Sequence, residues 1–258
     1  MATQRSLAMY PSLRGQRVFI TGGATAVGAA LVQAFAEQGA LVAFVDVAEQ
    51  ESAELVDSIR AQGHGSVWWR VCDVCDVAAL QASITLAEQE LGAFSTLVNN
   101  VASDDRHTLE SVTPDYWDER MAVNERPAFF AIQSVVPGMR RLGGGSIINL
   151  GSTGWQKKCN EYPCYAIAKS SMNGLTRGLA ATLGADHIRI NTVSPGWVMT
   201  QRQLSKWLDD ATLNQIRETQ CLPDMIQASD VARMVLFLAS DDSTMCTAQE
   251  FKVDAGWC

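Results

Sequence analysis

Short apolar runs and longer amphipathic stretches alternate along nearly the whole chain. Arg17–Ile20, Leu41–Val45, Ser66–Val71, Thr96–Asn99, Ser146–Leu150, Ile188–Val193 and Gln249–Val253 are brief runs rich in branched and aromatic residues, which predict strands. Between them run stretches of helical period. Val27–Gln38 places Val27, Leu31, Ala34 and Phe35 on one face, and Glu49–Ala61, Val77–Leu91, Tyr116–Arg141, Tyr165–Leu183 and Asp230–Ala239 continue the series. Leu41–Val45 is apolar at every position, as a strand buried on both faces requires. This alternation predicts an α/β chain built on one doubly wound, parallel, seven-stranded sheet with helices on both faces. Residues 1–14 read as an N-terminal tail and 15–258 as a single domain. Residues 196–222 interrupt the rhythm with a long segment that has a helical pattern of its own, the signature of a functional lid.

Composition narrows the possibilities. A chain of 258 residues with 47% hydrophobic and 19% charged residues can bury a full core without staples. The net charge of −8 excludes the clustered Lys and Arg that a nucleic-acid partner demands. Seven cysteines at irregular spacing are not a disulfide framework. Cys72 and Cys75 form a C-x-x-C, but no second cysteine pair lies at zinc-ribbon spacing, and His64, His107 and His187 form no ligand pair, so no metal is expected. Reduced thiols, the absence of an apolar leader in MATQRSLAMY and the absence of a run of about 20 apolar residues predict a cytoplasmic protein with no membrane contact.

In sheets of this kind, ligands bind beyond the C-terminal ends of the strands. The first such end reads Thr21-Gly22-Gly23-Ala24-Thr25-Ala26-Val27-Gly28 and opens directly into a helix. Small residues there let backbone approach a pyrophosphate, and the helix N-terminus offers free N–H groups. Asp46 ends the second strand, where a carboxylate accepts from an adenosine ribose and repels a 2′-phosphate. Asp73 follows the third strand and either accepts from an adenine amino group or caps a helix. With no Arg or Lys in the glycine-rich turn or just after Asp46, the expected cofactor is NAD.

Tyr165 and Lys169 are four apart on a predicted helix and so share one face. A tyrosine works as a base only if nearby cations favour its phenolate, and Lys169 is placed to supply one. Ser152, at the end of the fifth strand, can hydrogen-bond a substrate oxygen.

With these residues in place the chain resembles the short-chain dehydrogenases/reductases, from Gly15 to Trp257. The glycine motif appears as Thr21-Gly22-x-x-x-Ala26-x-Gly28, with Ala26 where Gly is commoner. The Asn-Asn-Ala-Gly segment appears as Asn99-Asn100-Val101-Ala102, departing at its last two positions, and a Pro-Gly motif as Pro195-Gly196. The resemblance implies a Rossmann-type fold, usually in a homotetramer, and a catalytic tetrad at Asn124, Ser152, Tyr165 and Lys169. Tyr165 is then the general base, Lys169 lowers its pKa and binds the nicotinamide ribose, Ser152 positions the reacting oxygen, and Asn124 holds a water linking Lys169 to solvent. The implied cofactor set is Gly22, Thr25, Ala26, Val27, Gly28, Asp46, Asp73, Val74, Asn100, Tyr165, Lys169, Pro195, Gly196, Val198 and Thr200. Apolar positions on the two long helices, Phe129, Phe130, Ile132, Val135, Val136, Met172 and Leu175, are expected to serve the oligomer.

Four stretches are similar to bacterial aldose 1-dehydrogenases: Asp104–His107, Tyr116–Arg120, Phe237–Asp242 and Asp254–Trp257. That similarity implies oxidation of the anomeric carbon of a pyranose to a lactone. The expected substrate set is Ser152, Trp155, Tyr165, Trp197, Met199, Arg202 and Trp207, in which aromatic faces pack on a sugar and polar groups hold its hydroxyls. Lys157, Lys158 and Arg202 leave room for a sugar acid or sulfosugar. The alternatives are a secondary-alcohol or 3-oxoacyl reductase, a non-catalytic dinucleotide sensor, and a scaffold protein.

Overall fold

The computed structural model describes residues 8–65, 67–158, 161–207 and 209–258. Seven strands form one parallel sheet: β1 (Arg17–Thr21), β2 (Leu41–Asp46), β3 (Trp68–Val71), β4 (Thr96–Asn99), β5 (Gly145–Leu150), β6 (Ile188–Pro195) and β7 (Glu250–Val253). Their spatial order is β3-β2-β1-β4-β5-β6-β7. The chain therefore winds outward one way from β1 and the other way from β4, which makes the β1/β4 junction the switch point where such sheets bind ligands. Pairing of Thr21 with Val45 and Asn99 aligns the strand ends around that junction. The third predicted strand begins later than expected, at Trp68, and Ser66 lies outside the described residues.

One face of the sheet is covered by α1 (Ala26–Glu37), α2 (Glu49–Ala61) and α9 (Ala228–Ala239), whose Leu31, Phe35, Ile59, Val235 and Leu238 are fully buried. The other carries α3 (Val77–Leu91), α4 (Pro114–Asn124), α5 (Arg126–Leu142) and α6 (Pro163–Gly184). Burial of central strands on both sides explains the unbroken apolar runs, with Val18, Phe19 and Ile20 all at 0% exposure. Two short helices, α7 (Gln201–Lys206) and α8 (Asp210–Thr219), fill the segment between β6 and α9 that broke the sequence rhythm.

Two expectations change. The helix expected over Tyr116–Arg141 is two helices, broken at Glu125 (φ −128°, ψ −58°). Pro127 causes the break, because it has no N–H to donate, its ring collides with a helical carbonyl four residues back, and it disfavours helical backbone at Arg126. In addition, residues 8–14 of the segment read as a tail are docked before the first strand. Leu13 is fully buried and Tyr10 N–H donates to Gln38 Oε1 at 2.8 Å.

Candidate active site

The turn after β1 is shaped by close packing. Gly22 sits at φ +70°, where a Cβ would also strike Val101 Cγ2 at 2.8 Å. A Cβ on Gly28 would fall 1.8 Å from the Gly22 carbonyl, so the first turn of α1 is pressed onto the turn that precedes it. Asn100 ties the end of β4 to this turn, its Nδ2 donating to Gly22 O at 2.7 Å. Asp46 reaches across from β2, with Oδ2 accepting from Ala24 N–H (2.9 Å) and Oδ1 from Ala48 N–H (3.1 Å). Both oxygens keep acceptor capacity. Asp73 accepts from Cys75 N–H, and Asp76 rather than Asp73 caps α3.

These residues line a groove of about 770 Å³ that includes Gly22, Thr25, Ala26, Val27, Gly28, Asp46, Asp73 and Val74. The groove shares Val27, Asn100, Ala102 and Thr200 with a second cavity of about 210 Å³, which holds Ser152, Tyr165, Lys169, Pro195, Gly196, Trp197 and Val198. A glycine cradle pressed free of side chains, a carboxylate at the end of β2 and a continuous path to Tyr165 fit a nicotinamide dinucleotide.

The candidate catalytic side chains converge from three elements. Ser152 stands just past the end of β5, accepts from Gly154 N–H at 3.0 Å and lies close enough to the phenol of Tyr165 to influence its ionisation. Burial pushes the Tyr165 phenol up to about 12, while Ser152 pulls it down; the charge of Asp104 raises it and that of Arg106 lowers it. Lys169 lies one turn further along α6, buried, with Nζ donating to Leu150 O at 2.7 Å. Its own burial brings it down to about 8. The Arg106 charge reaches Tyr165, and the Lys169 ammonium is turned to the Leu150 carbonyl.

Asn124 spends its side chain on two neighbours. Its Oδ1 accepts from Ser103 N–H at 2.8 Å, and its Nδ2 donates to Ser103 O and Arg120 O. The break at Glu125 gives Asn124 a second feature. Ala128 N–H, which an unbroken helix would give to the Asn124 carbonyl, goes to Glu125 O at 3.2 Å. Asn124 and Lys169 face a cavity of about 10 Å³, the volume of one water.

The segment 196–222 is pinned at its base by the Val198–Ile226 bridge and latched at its tip. Arg202 pairs with Asp104 (3.2 Å) and Asp105 (2.6 Å), and Gln203 Nε2 donates to Asp104 Oδ2 at 2.7 Å. Arg202 thereby faces the large groove rather than the catalytic cavity. Trp197 lines the cavity, whereas Trp155, Met199 and Trp207 do not. Trp155 is 37% exposed, and Trp207 packs on the Arg106 guanidinium at 4.9 Å.

Arg106 and Tyr162 are cavity residues that the sequence reading did not select. The signal for Arg106 was present in the Asp104–His107 stretch, which carried only a resemblance. His107 anchors that stretch: its Nε2 accepts from Cys164 N–H at 3.1 Å, at the start of the catalytic helix. Its Nδ1 therefore carries the proton and donates to Asp105 O at 2.8 Å.

A half-buried Tyr–Ser pair one helical turn from a buried Lys, beside a dinucleotide groove, defines an oxidoreductase that moves hydride at a carbon bearing oxygen. The family model described as enoyl-(acyl carrier protein) reductase matches residues 22–258. The chain belongs to the short-chain dehydrogenase/reductase family, and it acts on CH–OH groups. It is 45% identical over 252 residues to a D-xylose 1-dehydrogenase of Caulobacter vibrioides, covering 98% of this chain and 99% of that protein. It is 44% identical over 249 residues to a probable galactose dehydrogenase of Rhizobium meliloti, covering 96% and 97%. Among solved structures, a 3-oxoacyl-[acyl-carrier protein] reductase from Brucella melitensis superposes with a TM-score of 0.91 at 28% identity, covering 100% of this chain and 98% of the other. A blue fluorescent protein from a metagenomic library, in complex with NADPH, gives 0.88 at 33% identity, covering 96% and 99%.

Proposed function

We propose that this protein oxidises the anomeric carbon of a pyranose aldose to a lactone, with NAD as oxidant. The observation that carries the reading is the small cavity at Tyr165 and Ser152, walled by Trp197 and Tyr162 and opening onto the dinucleotide groove. Its kinship to proteins named for galactose and D-xylose supports a sugar in that cavity. When bound, NAD supplies the hydride acceptor. Tyr165 takes the proton of the C1 hydroxyl, and Ser152 holds the same oxygen in place. Lys169 binds the nicotinamide ribose, and the Asn124 carbonyl, released by the Glu125 break, holds the water that links Lys169 to solvent. Asp46 accepts from the adenosine ribose and disfavours a 2′-phosphate by charge. The one cation lining the groove among the described residues, Arg202, is already held by two aspartates.

Pairing with Asp104 and Asp105 removes the ground for an anionic sugar gripped by Arg202. The segment 196–222 serves as the substrate lid. A homotetramer rests on fewer residues than expected, since Ile132, Val135, Val136 and Met172 are buried in this chain's own core, while Phe129, Trp117 and Ile167 stay exposed on α4–α6. A cytoplasmic setting suits the free thiols of Cys72, Cys75, Cys164, Cys221, Cys246 and Cys258. No helix among the described residues is long and apolar enough to cross a membrane.

The test is a panel of aldoses, sugar acids, secondary alcohols and ketones with NAD and NADP, followed by NADH absorbance. Turnover of an aldose with NAD, and a lactone as product, is the expected result. A simple ketone or secondary alcohol reacting well while no aldose does would overturn the reading.

A further inference from the structure

We propose that Arg106, together with the Trp197 indole, is the donor set that reads the hydroxyl oxygens of a neutral aldose. The assignment rests on the aldose reading above and adds a specificity-determining residue to it. Arg106 lines the same cavity as Ser152, Tyr165 and Lys169. Its guanidinium lies 4.3 Å from the Tyr162 ring centre, 4.9 Å from Trp207 and 6.0 Å from Trp197, and its side chain is only 16% exposed. Stacking of this kind fixes a planar cation before ligand arrives.

The donors around it are unmet. Arg106 Nε and Nη1, Trp197 Nε1 and Trp207 Nε1 are buried with no hydrogen-bond partner among the described residues. The Glu161 carboxylate lies 3.2 Å from Nη1 as an ion pair, outside hydrogen-bond geometry. None of these groups can accept, so they cannot satisfy one another. Buried donors without acceptors are rare in folded proteins and point to a ligand that brings oxygen.

Donor and acceptor pairing decides which oxygen. Glu161 offsets the guanidinium, and Asp104 lines the same cavity with acceptor capacity beyond its bonds to Arg202 and Gln203. A hydroxyl, which both accepts and donates, matches Arg106 on one side and Asp104 on the other.

The experiment compares the parent enzyme with Arg106→Ala and Arg106→Lys on D-galactose, D-xylose, the monodeoxy galactoses and D-galacturonate. Arg106→Ala is expected to lower kcat/KM on neutral aldoses by at least ~10-fold, mostly through KM, the usual loss for one charged hydrogen bond. Arg106→Lys, with neither the fork nor the stacking plane, should recover little of it. The decisive readout is the deoxy penalty. At least one monodeoxy sugar should cost the parent ~10-fold but cost Arg106→Ala less than ~2-fold, because the lost hydroxyl and the lost donor are the same interaction. A merely structural role would depress every sugar alike and leave that penalty intact. NADH fluorescence titration should give unchanged cofactor binding in both variants. An unchanged deoxy penalty for every hydroxyl, or a parent enzyme that prefers galacturonate, overturns the assignment while leaving aldose oxidation standing. A parent that oxidises no aldose overturns both.

Discussion

Lys169→Met should make the protein inactive and more stable at once, and its pH dependence should show why. Lys169 is 2% exposed, its ammonium meets one acceptor, Leu150 O, and burial brings its pKa from 10.5 down to about 8. A difference of that size corresponds to about 3 kcal/mol set against folding while the side chain is charged. The unfolded chain keeps the proton up to about pH 10.5, whereas the folded one sheds it from about pH 8. Unfolded chains thus bind more protons across this window, and stability from this group rises with pH through it. At pH 7 the full penalty is present. Methionine keeps the length and removes the charge, but it leaves the Leu150 carbonyl unmet, at a cost of about 1 kcal/mol. The variant should therefore be more stable than the parent by roughly 2 kcal/mol at pH 7, and the advantage should vanish by pH 10. Tyr165, raised to about 12, works the other way only above pH 10, where its phenol would ionise in the unfolded chain alone. Urea unfolding of cofactor-free protein at fixed concentration, followed by tryptophan fluorescence at pH 7, 8, 9 and 10, measures the difference. Parallel pH profiles for parent and variant, or a less stable variant at pH 7, would refute the reasoning.

Tyr165→Phe should lose at least ~10²-fold in kcat on an accepted aldose while binding NADH normally, since only the proton-accepting oxygen is removed; activity within a few-fold of the parent would remove Tyr165 from its role. Asp46→Ala should weaken NAD use and narrow the preference over NADP, and equal efficiency of both cofactors in the parent would show that the carboxylate does not face the ribose. Ala26, held at φ +52°, carries a Cβ where left-handed backbone disfavours it. Ala26→Gly should raise stability by about 1 kcal/mol, read as a Tm increase of about 2–4 °C, and a lower Tm would show that the turn tolerates the methyl without strain.

The fold was readable because each element has one dominant cause. Central strands such as β2 are apolar throughout since both faces are covered, and the order strand–helix–strand leaves a parallel sheet as the packing solution. Prolines marked the limit. Pro127 ends α4, yet Pro137 sits inside α5 without breaking it. The same local rule applies to both, and packing on the sheet decides between them. The Tyr165–Lys169 spacing and the Ser152 strand end were likewise visible, because helix and sheet geometry fix where such side chains point.

Substrate recognition was less visible, for a physical reason. Lid and loop side chains take their meaning from partners distant in sequence. Arg202 looked like a free cation until Asp104 and Asp105, some 97 residues away, neutralised it. Arg106 looked like one charge in an Asp-rich turn until Tyr162, Trp197 and Trp207 closed around it. The two arginines thus exchange roles between sequence and structure: Arg202 is held by two aspartates, and Arg106 is left with donors to give. His107 makes that exchange mechanically useful. By accepting from Cys164 N–H it fastens the turn carrying Asp104 and Arg106 to the first turn of the helix that carries Tyr165. Asp104, Arg106 and Tyr165 are therefore held on one connected frame, so under the proposed function a sugar that satisfies Arg106 is placed against Tyr165 by the same backbone.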